Sequence, residues 1–119
     1  MRALIIDDAK AMMIILKQII QSIGGQVEEA GNGKKGLEKL KEMGQADLVL
    51  VDWNMPEMNG LDFVRADPNY RKLPIMMVTT ETESSQMGKA LAAGANEYVT
   101  KPFTKDTIAG KLKLLRIKV

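Results

Sequence analysis

Short apolar runs and helix-period segments alternate along the whole chain. Ala3-Leu4-Ile5-Ile6 is the first run, and Leu48-Val49-Leu50-Val51 is the third. The third is too apolar for a sheet edge and reads as a central strand buried on both faces. Val27 and Ala30 belong to a short second strand, where Glu28 and Glu29 suggest an edge. Pro74 opens a fourth strand, Ile75-Met76-Met77-Val78, and Glu97-Tyr98-Val99-Thr100 makes a fifth. After Asp8, the residues Met12, Ile15, Leu16, Ile19, Ile20 and Ile23 recur at three- and four-residue spacing, which predicts a helix with a buried stripe. Gly24-Gly25 stops it. Asn32-Gly33 is a turn, Leu37, Leu40 and Met43 mark the second helix, and Gly44 ends that one. Residues 54–60 read as a loop, 61–66 as a short third helix, and 84–93 as a fourth that stops at Gly94. Past Pro102, Thr104 caps a last helix with Ile108, Leu112 and Leu115 facing inward. Five strands alternating with five helices predict an α/β fold with a parallel sheet. No repeat, linker or composition shift divides the chain, so residues 1–119 are expected to form a single domain.

The polar residues at the ends of these runs change the picture from fold to chemistry. Asp7-Asp8 follows the first strand, Asp52 the third, Thr79-Thr80 the fourth and Lys101-Pro102 the fifth. In open α/β sheets, ligands sit beyond the carboxyl ends of the strands. Each residue has a plain alternative: an acidic pair after a strand is often a helix cap, and a Lys-Pro is often a turn. Their joint placement on one sheet edge is what favours a site. Three crowded carboxylates call for a divalent cation, with Asp7 and Asp8 holding it and the Asn54 backbone carbonyl adding a ligand. Asp52 is then the nucleophile, kept ionised by the metal and by the Lys101 ammonium. Lys101 also neutralises an incoming phosphoryl group, to which the Thr79 hydroxyl donates.

Composition narrows the options further. The 119 residues include no Cys and no His, which excludes disulfides, thiolate catalysis, Ser-His triads and His- or Cys-ligated metals. Oxygen ligands alone suit Mg²⁺, with Mn²⁺ as the other fitting ion. A phosphohistidine donor has to sit on another molecule. The net charge of +2 is not gathered into a basic stripe, so no direct nucleic-acid partner is expected. The apolar stretches are too short for a membrane span. Met1-Arg2-Ala3 leads straight into a strand without a signal-peptide pattern, so the expected location is the cytoplasm.

Ile5-Ile6-Asp7-Asp8, Val51-Asp52-Trp53-Asn54-Met55-Pro56, Asn59-Gly60, Met77-Val78-Thr79, Ala93-Gly94-Ala95 and Tyr98-Val99-Thr100-Lys101-Pro102-Phe103 together make the chain recognisable. It resembles the receiver domains of two-component response regulators, most closely the single-domain chemotaxis (CheY-like) type, over essentially its whole length. The resemblance implies a flavodoxin-like, doubly wound sheet of strand order 2-1-3-4-5 with helices on both faces. It implies that a histidine kinase or phosphotransfer protein donates a phosphoryl group to Asp52 in a phosphorelay. Thr79 and Tyr98 are then the switch, and Asn54 and Glu81 tune attack by water on the phosphoaspartate. The output partner, which the sequence does not name, is expected on the face combining the fourth strand, fourth helix, fifth strand and fifth helix.

Several positions depart from the family pattern. The 60–74 segment is about three residues short, roughly one helical turn, so the third helix is expected to be shortened. Gly25 stands where a large apolar residue is common, and Gly88 and Gly110 fall inside predicted helices. Met13 and Ile14 widen the apolar arc of the first helix, a patch suited to docking the kinase. A monomer is the expected state, with a dimer covering that patch as the alternative. Two other functions compete. A Mg²⁺-dependent phosphatase or phosphotransferase would use the same aspartyl phosphate, but there is no room for a substrate-holding cap, and position 54 is Asn where such enzymes carry a second acid. A receiver fragment of a transcription regulator is the other.

Overall fold

A computed structural model of the chain describes residues 1–7, 9–52, 73–79, 96–100 and 104–117, with the backbone alone for Asp52, Thr79 and Thr100. The five expected strands form: β1 (Arg2–Ile6), β2 (Gln26–Ala30), β3 (Leu48–Asp52), β4 (Ile75–Thr79) and β5 (Glu97–Thr100). They pair in parallel in the order β2-β1-β3-β4-β5. Three helices lie among the described residues: α1 (Lys10–Ser22), α2 (Gly33–Met43) and α3 (Lys105–Leu114). The helices expected at 61–66 and 84–93, with Gly88, lie outside them.

Strand alternation sorts the core into two layers. Leu4, Ile6, Val49, Val51, Ile75 and Met77 face Leu40 of α2. Ala3, Ile5, Leu48, Leu50, Met76 and Val78 face Met13, Leu16 and Ile20 of α1 and Ile108 and Leu112 of α3. Helices therefore cover both faces, as the two-sided apolarity of β3 requires. The edge strand β2 carries Glu28 and Glu29, and the flanking helices answer each: Lys39 of α2 lies 3.5 Å from Glu28, and Lys17 of α1 lies 3.1 Å from Glu29. Charges on both sides of an edge strand work against pairing with a further strand.

The rotation of α1 differs from the one expected. Met13 is buried, whereas Ile15 is 45% exposed and Ile14 55% exposed. Residues 12–16 are all apolar, so several stripes fit the same spacing. What selects one is the helix end. Gly24 has φ +99°, its N–H donates to the Gln21 carbonyl, and the Gly25 N–H donates to the Ile20 carbonyl at 2.9 Å. This Schellman turn seats Ile20 beneath Gly25. A Cβ at Gly25 would lie 2.6 Å from Ile20 Cγ2 and 3.1 Å from Met1 Cε. Ile20 and Met1 thus fill the space a larger residue would use, and Gly25 is a fitted position rather than a defect.

The other helix ends follow the sequence. Asn32 caps α2 by accepting from Lys35 N–H, and Gly44 ends it at φ +74°. Thr104 caps α3 in a reciprocal box with Thr107. Two glycines in these helices behave oppositely. Gly36 of α2 sits on the fully buried Ile6, whose Cγ1 a Cβ would approach to 2.8 Å. Gly110 of α3 has nothing within 4 Å of that position. Gly110→Ala should therefore stabilise the protein by about 1 kcal/mol through helix propensity alone. Gly36→Ala should lower stability despite the same propensity gain, because overpacking a core costs about 1–3 kcal/mol. Urea unfolding of the two variants checks both signs.

Candidate functional site

The register of the sheet builds the site. Ile6 of β1 pairs with Val51 of β3, so the next residues on the two strands are Asp7 and Asp52. Neighbouring strands run about 5 Å apart, so these two backbones meet at one level of one edge. Asp52 pairs with Val78 of β4, which puts Thr79 one step beyond it. Thr79 pairs with Thr100 of β5, the residue before Lys101. Sequence reasoning and sheet register thus agree on which strand ends gather.

Asp7 is the one charged side chain buried among the described residues, at 2% exposure. Burying a carboxylate is costly unless its surroundings compensate. Its Oδ1 accepts from the Ala9 N–H at 2.8 Å, and its own N–H donates to the Ala30 carbonyl at 3.1 Å. The plain helix-cap reading does not describe it. The N-cap of α1 is Ala9, which makes no side-chain cap, and Asp7 bonds the N-cap residue rather than the first turn. A cleft of about 480 Å³ opens beside Asp7, between Lys10 and Ile14 of α1 and the end of β2 at Glu29, Ala30 and the following Gly31. This is the carboxyl edge, where the fold class places ligands.

The remaining expected site residues divide. Asp8, Asn54, Glu81 and Lys101 lie outside the described residues, and Asp52 and Thr79 are placed by backbone only. Tyr98 lies in β5, opposite Met77, half-buried against the layer that contains Met77 and Val51. Sequence reasoning missed the two residues around it. Lys111 Nζ of α3 stands 5.0 Å from the Tyr98 ring centroid and 3.0 Å from Glu97 Oε1. That same oxygen accepts from the Tyr98 N–H at 3.1 Å. No local spacing signals this cluster, because Lys111 and Glu97 come from different elements.

Comparisons with known proteins agree with the geometry. The family model of the response regulator receiver domain matches residues 3–113. The chain is 40% identical over 119 residues to the chemotaxis protein CheY1 of Helicobacter pylori, covering 97% of this chain and 96% of that protein. It is 40% identical over 116 residues to CheY-3 of Vibrio cholerae, covering 94% of this chain and 88% of that one. Among solved structures, the chemotaxis protein CheY4 of Vibrio cholerae superposes with a TM-score of 0.85 at 32% identity, over 95% of this chain and 96% of that one. A putative response regulator of Chloroflexus aurantiacus gives 0.88 at 27% identity, over 96% and 95%.

The Asp7 contacts generate a stability prediction separate from chemistry. Asp7→Asn keeps an oxygen acceptor for the Ala9 N–H, whereas Asp7→Ala removes it. Without added metal, Asp7→Ala should be less stable than Asp7→Asn by about 1 kcal/mol, the worth of one hydrogen bond. Denaturant midpoints of the two variants, compared with each other, test this.

Proposed function

The chain belongs to the response regulator receiver family of two-component signalling, and on that premise we propose that it is a single-domain switch phosphorylated on Asp52. The observation that carries this reading is the β1–β3 register, which sets the backbone of Asp52 level with the buried carboxylate of Asp7. An all-oxygen donor set, in a chain with no His or Cys, fits Mg²⁺. Asp7, Asp8, Asp52 and the Asn54 carbonyl would hold the ion. When bound, it supplies positive charge against the phosphoryl oxygens.

The chain's own residues do the rest. An Asp52 carboxylate oxygen attacks phosphorus in line. The new O–P bond forms as the P–N bond of a partner's phosphohistidine breaks, and the imidazole leaves with the bonding pair. Lys101 neutralises the transferred group, and Thr79 donates its hydroxyl to it. Thr79 and Tyr98 then convert the added charge into a changed surface, a two-state element biased locally. Asn54 and Glu81 set how quickly water removes the phosphoryl group. Of the expected patch on α1, Met13 is buried and Ile14 is exposed at the cleft, and Ile14 together with the exposed Ile15 gives the phosphodonor an apolar surface. The charged edges at β2 and β5 support a monomer that works by changing partners. The relatives' names point to chemotaxis as the pathway. Among the described residues no helix is long and apolar enough to cross a membrane.

Acetyl phosphate with Mg²⁺ should add one phosphoryl group to the wild type, read by intact mass, and none to Asp52→Asn. Unchanged labelling of Asp52→Asn would sink the assignment. Lys101→Ala should still accept phosphate while losing the response of Tyr98 to beryllofluoride. Mg²⁺ should raise the thermal midpoint of the wild type, because folding is what gathers the carboxylates the ion binds. Asp8→Asn should shrink that rise.

A further inference from the structure

We propose that Glu97 and Lys111 form a latch that positions the Tyr98 ring, so that α3 sets which ring orientation the unphosphorylated chain prefers. The signalling consequence rests on the reading of Tyr98 as the switch aromatic; the latch itself does not.

Three contacts close around one residue. The Glu97 carboxylate oxygen takes the Lys111 ammonium at 3.0 Å and the Tyr98 N–H at 3.1 Å. The ammonium stands 5.0 Å from the ring centroid, inside the roughly 6 Å range in which a cation is attracted to an aromatic face. Tyr98 is therefore held twice, by its backbone through Glu97 and by its ring through Lys111. The cluster also differs from the other ion pairs. Lys17–Glu29 has side chains 42% and 43% exposed, whereas Lys111–Glu97 has 27% and 18%. Partial removal from water strengthens the attraction and narrows where the ammonium can go. Its carrier is pinned as well: Ile108 and Leu112, on either side of Lys111 in α3, are fully buried.

These contacts have unequal fates when the ring turns. The backbone bond of Tyr98 to Glu97 and the Glu97–Lys111 pair survive, because neither involves ring atoms. Only the ammonium–ring attraction is lost. Lys111 is thus the residue that acts on the ring. Glu97 is a positioning residue that holds Lys111 and the strand edge while the ring moves. A bias of this size leaves the second orientation accessible, as a switch requires.

The chain has two tyrosines, Tyr70 and Tyr98. 3-Fluorotyrosine in a Tyr70→Phe background therefore gives a single fluorine signal from Tyr98. In untreated protein, Lys111→Met should shift the ratio of ring orientations by at least about two- to fivefold, the lower end of what one cation–ring contact contributes. Lys111→Arg should restore the wild-type signal, and Glu97→Gln should move it in the same direction as Lys111→Met, by less. A Tyr98 signal unchanged in Lys111→Met overturns the latch, even if the thermal midpoint falls. So does an Arg variant that behaves like Met, since the contact then does not depend on the cation. If Lys111→Met fails to fold, Glu97→Gln carries the same test, and an unmoved signal there has the same meaning. Beryllofluoride with Mg²⁺ on the wild type separates the two readings. No response at Tyr98 refutes the switch role, while the untreated spectra still decide the latch.

Discussion

Parallel pairing of β1 with β3 at the centre of the sheet is the constraint on which the rest depends. All eight residues 3–6 and 48–51 are fully buried, so neither strand tolerates a position open to water on either face. That forces both to the middle and requires helices above and below. Parallel pairing then sends both carboxyl ends to one edge, where the chain supplies Asp7 and Asp52. Two unit charges at the about 5 Å spacing of neighbouring strands would repel by about 3 kcal/mol at an effective dielectric of 20. Burying one or two aliphatic side chains contributes about as much. The central strands bury many more than that, so the sheet can hold like charges together that would otherwise part.

The two edges of the sheet are both charged, but the charges do different things. On β2, Lys17 and Lys39 reach Glu29 and Glu28 from opposite faces and stay partly in water. Exposed pairs of this kind contribute little stability. Their effect is to make the edge unsuitable for another strand. On β5, the Glu97 carboxylate turns to its own strand and takes the Tyr98 N–H, while Lys111 is drawn over the ring. A single ion pair there guards an edge and constrains an aromatic side chain.

Strand identity and the alignment of the strand ends were legible because period and burial agree in short, uniform runs such as Leu48 to Val51. The strand order came from the resemblance and matches the observed pairing. The rotation of α1 was not legible. Five consecutive apolar residues at 12–16 leave hydropathy indifferent between stripes, and the choice falls to tertiary contacts: Ile20 under Gly25, and Met13 over Ile5's layer. The fit at Gly25 was hidden for a related reason, since the atoms that fill its space belong to Met1 and to a side chain five residues earlier. The Asp7–Ala9 bond lies within three residues, yet a helix cap stood as the plain alternative to a site, because an Asx-type contact and a cap use the same residue types. The Lys111–Glu97–Tyr98 cluster is long-range and has no sequence signature.

The amino edge of the sheet shows why chemistry can reside at the opposite end. There the backbone is closed by many bonds. Arg2 donates its N–H to Asp47 Oδ2 and its guanidinium to the Met43 carbonyl at the end of α2, where a cation suits the helix dipole. Asp47 N–H returns to the Arg2 carbonyl, and Gln26 N–H to that of Met1. α1 and α3 both finish here in Schellman turns, the second formed by Arg116 N–H to Lys113 and Ile117 N–H to Leu112. Arg116 holds φ +59°, the only non-glycine with positive φ among the described residues. A left-handed conformation costs an L-residue roughly 1–2 kcal/mol. Strain of this kind often marks a functional site, but here it sits at the edge away from Asp7 and Asp52. Its cause is therefore the turn that closes α3 and packs the half-buried Ile117 against the α1–α3 layer. The backbone and side-chain bonds at the amino edge close that end of the sheet, and the buried carboxylate of Asp7 lies at the other end.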